Sequence, residues 1–433
     1  MYSENLTINS KELVETIHST AEMFGAKGVW GPEQTQTGVC RLALSDIDKQ
    51  VKDWFIAETK KLGCTIKIDN CGNIFATYPG KNNDALATGM GSHLDTQPTG
   101  GRYDGIYGVL AGLQVLRTLH ANNITPNFPI TLVDWCNEEG ARFPMSLMSS
   151  SVWAGVKTKE EIYALKDVYD HKTTVEDELK RIGYMGEVDC SYKSNPLDSH
   201  FEIHIEQGPI LEKLQKTIGV LTGGQAYNWL NVTMEGMAQH TGTTPMEYRR
   251  DALLAVSKIV TGVNAIAKKH HGLGTVANMQ FIPNVVNVIA EKVDFVIDIR
   301  HEYDEGLQKI RKDVLELIEE ASLNTDGNGI KLNYKLEDPY PYPATHFDKE
   351  LINVIDESAK AVVGEDQCHK MVSGAGHDSC ATNLVIPTAM IFVPSKDGIS
   401  HNPKEHTEPE ELEAGFKVLL ETILRYDHLR ASK

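Results

Sequence analysis

Five short segments of this 433-residue chain each put a metal-type ligand where a strand gives way to a loop. The first is Gly91-Ser92-His93-Leu94-Asp95-Thr96. In an extended stretch His93 and Asp95 point the same way, because strand side chains repeat every two residues. A carboxylate so placed can hold one ring nitrogen and leave the other for a cation; a polar turn with a strand-end histidine is the competing explanation. The second segment, Gly100-Gly101-Arg102-Tyr103-Asp104-Gly105, opens an apolar helical stretch. Asp104 there can cap the helix, or its two oxygens can join two cations about 3.5–4 Å apart, with the flanking glycines letting backbone approach closely. The third, Asn137-Glu138-Glu139-Gly140, follows a nearly continuous apolar run that reads as a strand. Two neighbouring acids need separate roles, because unpaired like charges side by side are costly; one as metal ligand and one as general base satisfies that. The fourth is His204, on a strand face shared with Glu202 and Glu206, and the fifth is His401 in Ser400-His401-Asn402-Pro403. Three imidazoles and two or three carboxylates, with no thiolate, suit zinc, manganese or cobalt. The donor count fits two such cations sharing a water.

These ligands need elements to carry them. The apolar residues of Leu13–Phe24 fall at helical spacing, and the first fifty or so residues read as helices. Cys64–Ile68, Ile74–Gly80 and Ala85–Asp95 read as strands joined by Gly- and Asn-rich turns. In the helix from Ile106 to His120, residues Ile106, Val109, Leu110, Leu113, Leu116 and Leu119 share one face. Pro129–Asn137 is a nearly continuous apolar run, as expected of a strand covered on both sides. Alternating strands and helices imply an α/β domain with a mixed, mainly parallel sheet. A second region begins near Gly223. It reads strand (228–236), long helix (245–269), strand (293–301, with Val293, Phe295, Ile297 and Ile299 opposite Asp294, Asp298 and Arg300) and helix (305–321), a small α+β sandwich. The Pro/Tyr-rich stretch at Pro339–Pro343 reads as a linker, after which a helix (351–364) and an apolar strand (386–394) look like the return of the first domain. The expected division is 1–222 and 342–433 for the catalytic domain, with 223–341 inserted.

Composition narrows the function. Lys+Arg 42 against Asp+Glu 60 gives a net charge of −18, which phosphate backbones and anionic membrane surfaces repel. No nucleic-acid or membrane partner is expected. The opening residues show no basic stretch followed by an apolar one, so no export signal is read there. Seven scattered cysteines without a C-x-x-C pair argue against disulfides or a thiolate zinc site. Free thiols fit a reducing compartment, and a cytoplasmic location is expected.

The motifs GSHLDT, GGRYDG, NEEGARF, HIEQGPILE, QHTGTTP, PNVVN, DIRH, SGAGHDS and SHNPKE, in this order, resemble those of the N-carbamoyl amino acid amidohydrolases. That group includes β-ureidopropionase (β-alanine synthase), N-carbamoyl-L-amino acid hydrolase and allantoate amidohydrolase, within the dinuclear-zinc carboxypeptidases and aminoacylases. The resemblance runs from about residue 30 to about 425; HLDTQPTGG and VPSKDGISHN look most like fungal-type β-alanine synthase. It implies a zinc-exopeptidase-like catalytic domain with an inserted ferredoxin-like domain that dimerises and covers the site. It implies two divalent cations, zinc foremost with manganese or cobalt possible: one held by His93, Asp104 and His204, the other by Asp104, Glu139 and His401. Asp95 would orient His93, Glu138 would be the base, and His240 would stabilise the oxyanion. Asn287 and Arg300 would receive the substrate, and Gln207, Gly376 and His377 would complete the pocket. His240 and Asn287 would act within their own subunit or in a homodimeric partner's site.

The residues themselves agree with parts of this. Arg300 ends an alternating strand on its polar side, where a guanidinium can grip a carboxylate bidentately or pair with Asp298. His240 sits among Gly and Thr, not on an apolar face, and His377 follows Gly376 where backbone can approach a ligand. His406 is a conceivable further donor, read as surface. The implied reaction is hydrolysis of the ureido C–N bond of a small N-carbamoyl amino acid to amino acid, ammonia and carbon dioxide. Allantoate amidohydrolase is the nearest rival. A dinuclear peptidase is disfavoured by HIEQG and DIRH, and a non-catalytic dimeric binding protein would need a lost ligand, of which none is missing.

Overall fold

The structure, a computed structural model, describes residues 1–338 and 341–433. It divides into two units, Met1–Gly223 with His346–Lys433, and Gly224–Thr345. Of the linker expected at Pro339–Pro343, Pro339 and Tyr340 lie outside the described residues.

The larger unit is built on a nine-stranded mixed sheet among the described residues. Its middle consists of four neighbouring parallel strands in the order Thr388–Val393, Leu197–Ile205, Ala87–His93, Ile130–Trp135. Ile74–Tyr78 and Thr65–Ile68 continue one side antiparallel, and Ile218–Gly224 continues the other. The strands Ala87–His93, Ile130–Trp135 and Thr388–Val393 are buried along their whole length. That explains why they read as small or apolar runs without alternation. The helix Ile106–Ala121 is buried on nearly every side, so its apolar residues extend beyond the single face the spacing suggested. The C-terminal helix Pro409–Ala431 starts with proline in its first turn and a reciprocal cap between Glu408 and Glu411.

The N-terminal region departs from the expected run of helices. Between the helices Ser10–Met23 and Asp46–Lys61 lies an antiparallel pair, Ala26–Val29 with Thr37–Val39. Gly25 and Gly28 take positive φ there, which breaks the helical period.

Buried charges brace the loop that follows the strand Ala87–His93. Asp134, fully buried in the next strand, accepts from the Leu94 amide (3.0 Å) and pairs with the buried Lys52. The Arg41 guanidinium donates to the Leu94 carbonyl (3.0 Å) and to the Phe24 carbonyl (3.0 Å). Both polar groups of the residue between His93 and Asp95 are therefore held by ionised side chains, stronger partners than neutral ones.

His200, buried on the strand Leu197–Ile205 of the same sheet, receives Trp135 Nε1–H (3.4 Å) and faces Ser379 Oγ (3.4 Å). Burial drives its pKa down to about 4. The unfolded chain, with histidine near 6.5, then binds more protons than the folded one below that pH. The stabilisation is complete above about pH 6.5 and is lost as pH falls toward 4, by at most ~3 kcal/mol for a shift of this size. Urea unfolding of His200→Asn followed between pH 7 and 4 is expected to show a shallower acid loss than the parent; equal slopes would contradict it.

In the smaller unit, strand Ala226–Glu235, helix Ala252–Lys269, strands Leu273–Ile282 and Lys292–His301, helix Asp304–Ser322 and strand Asn333–Glu337 follow in the β-α-β-β-α-β order. The sheet is antiparallel, with Lys292–His301 and Ala226–Glu235 central and Leu273–Ile282 and Asn333–Glu337 at the edges. Val293, Phe295, Ile297 and Ile299 enter its core with Val256, Ile259, Ile310 and Val314 of the helices. The first helix is shorter than the expected 245–269. Asp251 caps it by accepting from the Leu254 amide (3.0 Å), while Arg249 stays extended and binds the carbonyls of Thr241 and Thr244.

Candidate active site

The carboxyl ends of the four parallel strands are where an α/β sheet gathers ligands. His93 ends one strand, Glu138 and Glu139 follow the next, His204 lies near the end of the third, and His401 lies on the loop after the fourth. Asp104 immediately precedes Gly105, the N-cap of the helix Ile106–Ala121. Gly105 has φ of +67°, and a Cβ there would stand 2.2 Å from the His93 ring, so this position requires glycine.

The three imidazoles converge on one carboxylate. His204 Nε2 lies 3.2 Å and His93 Nε2 3.7 Å from Asp104 Oδ1, while His401 Nε2 lies 3.2 Å from Asp104 Oδ2. His401 Nε2 also stands 3.3 Å from Glu139 Oε2, and His93 Nε2 3.4 Å from Glu138 Oε2. The ligand atoms of His93, Asp104 and His204 lie within 4.8 Å of one another, as do those of Asp104, Glu139 and His401. Asp104 is common to both sets.

The remaining ring nitrogens show how the imidazoles are aimed. His93 Nδ1 faces the Asp95 carbonyl (2.9 Å) and His204 Nδ1 the Ile205 carbonyl (2.8 Å). A carbonyl only accepts, so each Nδ1 carries a proton and each Nε2 is left to face Asp104; that of His204 also meets the Gly105 amide (3.0 Å). The Asp95 side chain does something other than the sequence suggested. Its strand ends at His93, so the period of two stops there, and the carboxylate turns to accept from the Glu138 amide (3.2 Å) and the Glu139 amide (3.3 Å). It is the Asp95 backbone that holds His93.

Burial raises carboxyl pKa values here, and the local charges decide where each settles. Asp104 is held well below the ordinary range: burial opposes ionisation, but hydrogen bonds from His204 and His401 and the charge of His204 and His93 outweigh it. His401 is raised to about 11 by Asp104 and Glu139. Glu138 is pushed well up by burial and by Asp378, Glu139 and Asp104, against the pull of His93. Asp95 is raised by burial to about 7.

Gln97, which the sequence did not single out, Glu202, named only for its strand face, and residues named from the resemblance complete the surroundings. Gln97 Nε2 donates to Glu139 Oε2 (2.8 Å). Glu202 is buried and accepts from Ser92 Oγ (2.7 Å) and Ser379 Oγ (2.7 Å). Its position on the face of His204 was the one available signal. Gln207 Nε2 donates to Asp104 Oδ2 (2.8 Å) and Ser400 Oγ (3.1 Å). The ring of His377 packs 4.6 Å from that of His204, and its Nε2 meets Ser373 Oγ (2.9 Å). Gly376, just before it, is exposed. His406 pairs with Glu408 (3.3 Å) and is not part of the cluster around Asp104. A separate buried trio, Asp69, Cys71 and Cys190, is a hydrogen-bonded knot: Asp69 Oδ1 accepts from the amides of Cys71 (2.9 Å) and Asn73 (3.1 Å), and burial keeps the Cys190 thiol protonated.

Within the smaller unit, His240 and Asn287 come together. His240 pairs with Val288 across an antiparallel bridge, and the Thr241 amide donates to the Asn287 carbonyl (3.0 Å). Both residues are exposed. His240 Nδ1 accepts from the Gly242 amide (3.0 Å), so its proton sits on Nε2, which becomes a donor. Arg300 makes a bidentate contact with Asp298 (Nε–Oδ1 3.0 Å, Nη2–Oδ2 2.7 Å), with its guanidinium 5.6 Å from the Tyr227 ring centre.

The chain belongs to the peptidase family M20/M25/M40, whose family model matches residues 89–425. It is 37% identical over 423 residues to an N-carbamoyl-L-amino-acid amidohydrolase of Rhizobium meliloti, covering 97% of each chain. It is 31% identical over 392 residues to the allantoate amidohydrolase of Bacillus subtilis, covering 86% of this chain and 90% of that one. Among solved structures it is similar to an amidase of the hydantoinase/carbamoylase family from Burkholderia multivorans, with 42% identity, a TM-score of 0.86, and 97% and 98% of the two chains covered.

Proposed function

We propose that this chain is a metal-dependent amidohydrolase that cleaves the ureido C–N bond of N-carbamoyl amino acids, releasing the amino acid, ammonia and carbon dioxide. The observation that carries the reading is the convergence of three imidazole Nε2 atoms on the two oxygens of Asp104, with Glu138 beside His93. The identities of the relatives supply the substrate class.

The donor set fits two divalent cations, zinc foremost and manganese or cobalt as alternatives. His93, Asp104 and His204 would hold one, and Asp104, Glu139 and His401 the other. When bound, such a pair acidifies a shared water and polarises the substrate oxygen. Glu138 takes the proton of the attacking water and passes it to the leaving nitrogen. Asp95 holds the amides of Glu138 and Glu139 and so fixes the base and a ligand together. His240, with its donor Nε2–H, stabilises the oxyanion; Asn287 and Arg300 receive the substrate; Gln207, Gly376 and His377 line the pocket.

The reading includes a homodimer joined through residues 224–345, with His240 and Asn287 acting within one subunit or across the pair. The edge strand Leu273–Ile282 and the exposed Val285 and Val286 next to it support that role. No helix among the described residues is long and apolar enough to cross a membrane. The reading includes a cytoplasmic setting, where the seven free cysteines would stay reduced.

Ammonia release from N-carbamoyl-β-alanine, N-carbamoyl-L-α-amino acids and allantoate, with bound metal measured in the same preparation, tests the proposal. Turnover of a carbamoyl amino acid by protein carrying two ions supports it. Preference for allantoate would assign the second reading, which the Bacillus subtilis relative favours. Metal-loaded protein inactive on all three would overturn both. Arg300→Ala is expected to raise KM about 10–100-fold with a smaller change in kcat, the scale of a lost hydrogen bond to a charged group. An unchanged KM would remove Arg300 from the site.

A further inference from the structure

Glu405 has no part in the chemistry described so far, yet it is 2% exposed and lies against the central carboxylate. Its Oε1 accepts from the amides of Tyr103 (3.1 Å) and Asp104 (3.0 Å). Its Oε2 accepts from Ser400 Oγ (2.9 Å), the residue before His401. One side chain thus ties two segments some three hundred residues apart, each delivering a ligand atom to the same place. The approach is close: a Cβ on Gly101 would stand 2.2 Å from Glu405 Oε1. No ion pair of Glu405 occurs among the described residues. A buried carboxylate without a cation is costly, and here only two amides and a hydroxyl answer it.

Ser400 adds a constraint. Its hydroxyl lies within reach of both Glu405 Oε2 (2.9 Å) and Asp104 Oδ2 (3.1 Å), and Gln207 Nε2 donates to it. A hydroxyl has one proton to give, so it cannot serve both carboxylates. If both oxygens of Asp104 are committed to cations, the proton goes to Glu405.

We propose that Glu405 is a positioning residue for the two-cation centre, fixing the backbone of Asp104 and, through Ser400, the approach of His401. This rests on the reading of Asp104 as a bridging ligand. Losing the acceptor for Ser400 would free the approach of His401, so Glu405 supports cation binding through the geometry of the two loops it joins.

The test is titration of the metal-free full chain with cobalt(II), read from its visible bands and from the bound stoichiometry, with urea unfolding of the metal-free protein alongside. The parent is expected to take up two ions. Glu405→Ala and Glu405→Gln are expected to bind cobalt about 10–100-fold more weakly, the cost usual for losing a group that supports a ligand, with altered bands. The carboxamide oxygen of Glu405→Gln can still accept the two amides, so this variant keeps the metal-free stability of the parent. A merely structural Glu405 would lower stability and leave affinity and spectrum alone. Should Glu405→Ala fail to fold, Glu405→Gln and Ser400→Ala carry the test. Two ions bound by the parent and by these variants, with equal affinity and unchanged bands, would overturn the role of Glu405. Fewer than two bound by the parent would instead overturn the two-cation reading beneath it.

Discussion

Glu138→Gln is expected to lower kcat by about 10²–10⁴-fold, the range for losing a positioned general acid–base, while bound metal stays at the parent's level. Glutamine keeps the volume and the backbone, so the hydrogen bond from the Glu138 amide to Asp95 persists. It cannot accept the water's proton. The candidate ligands His93, Asp104, Glu139, His204 and His401 are untouched. The comparison to make is kcat and metal content of the same preparation. Unimpaired turnover would remove Glu138 as the base; loss of metal together with turnover would make it a ligand instead. KM should move little, because the lost interaction belongs to proton transfer.

The second large effect is expected at Asp104. Asp104→Asn replaces one of the two oxygens on which the imidazoles converge with an NH₂ group, which has no free pair for a cation. Because Asp104 belongs to both ligand sets, one substitution should cost both ions, whereas His401→Ala should cost mainly one. Activity should fall below detection for Asp104→Asn, as it should for the parent stripped by a chelator, and added zinc or manganese should restore only the parent. Metal content by elemental analysis separates the outcomes. Two ions retained by Asp104→Asn would show that the residue does not bridge. The neighbouring strand-end architecture is not at risk, since Gly105 and the buried helix behind it hold the loop.

The sequence alone determined the alternation of strands and helices and the small sandwich after Gly223, because both follow from local hydrophobic period. It also singled out the side chains that the fold brings around Asp104, since each lies in a short segment whose residue types are unusual for a plain turn. It did not determine what holds those ligands. That Asp95 grips the amides of the loop after the next strand while its backbone holds His93 depends on where a strand stops, and no period announces that. Glu405 and Gln97 acquire their roles only when loops distant in the chain are folded together. Arg300 and Asp298 could be placed on one face from the alternation, yet whether they bond each other is a matter of rotamers. Local pattern records which residues share a face. Tertiary packing chooses which polar atoms meet, because a buried donor or acceptor must find its partner among whatever the fold brings near.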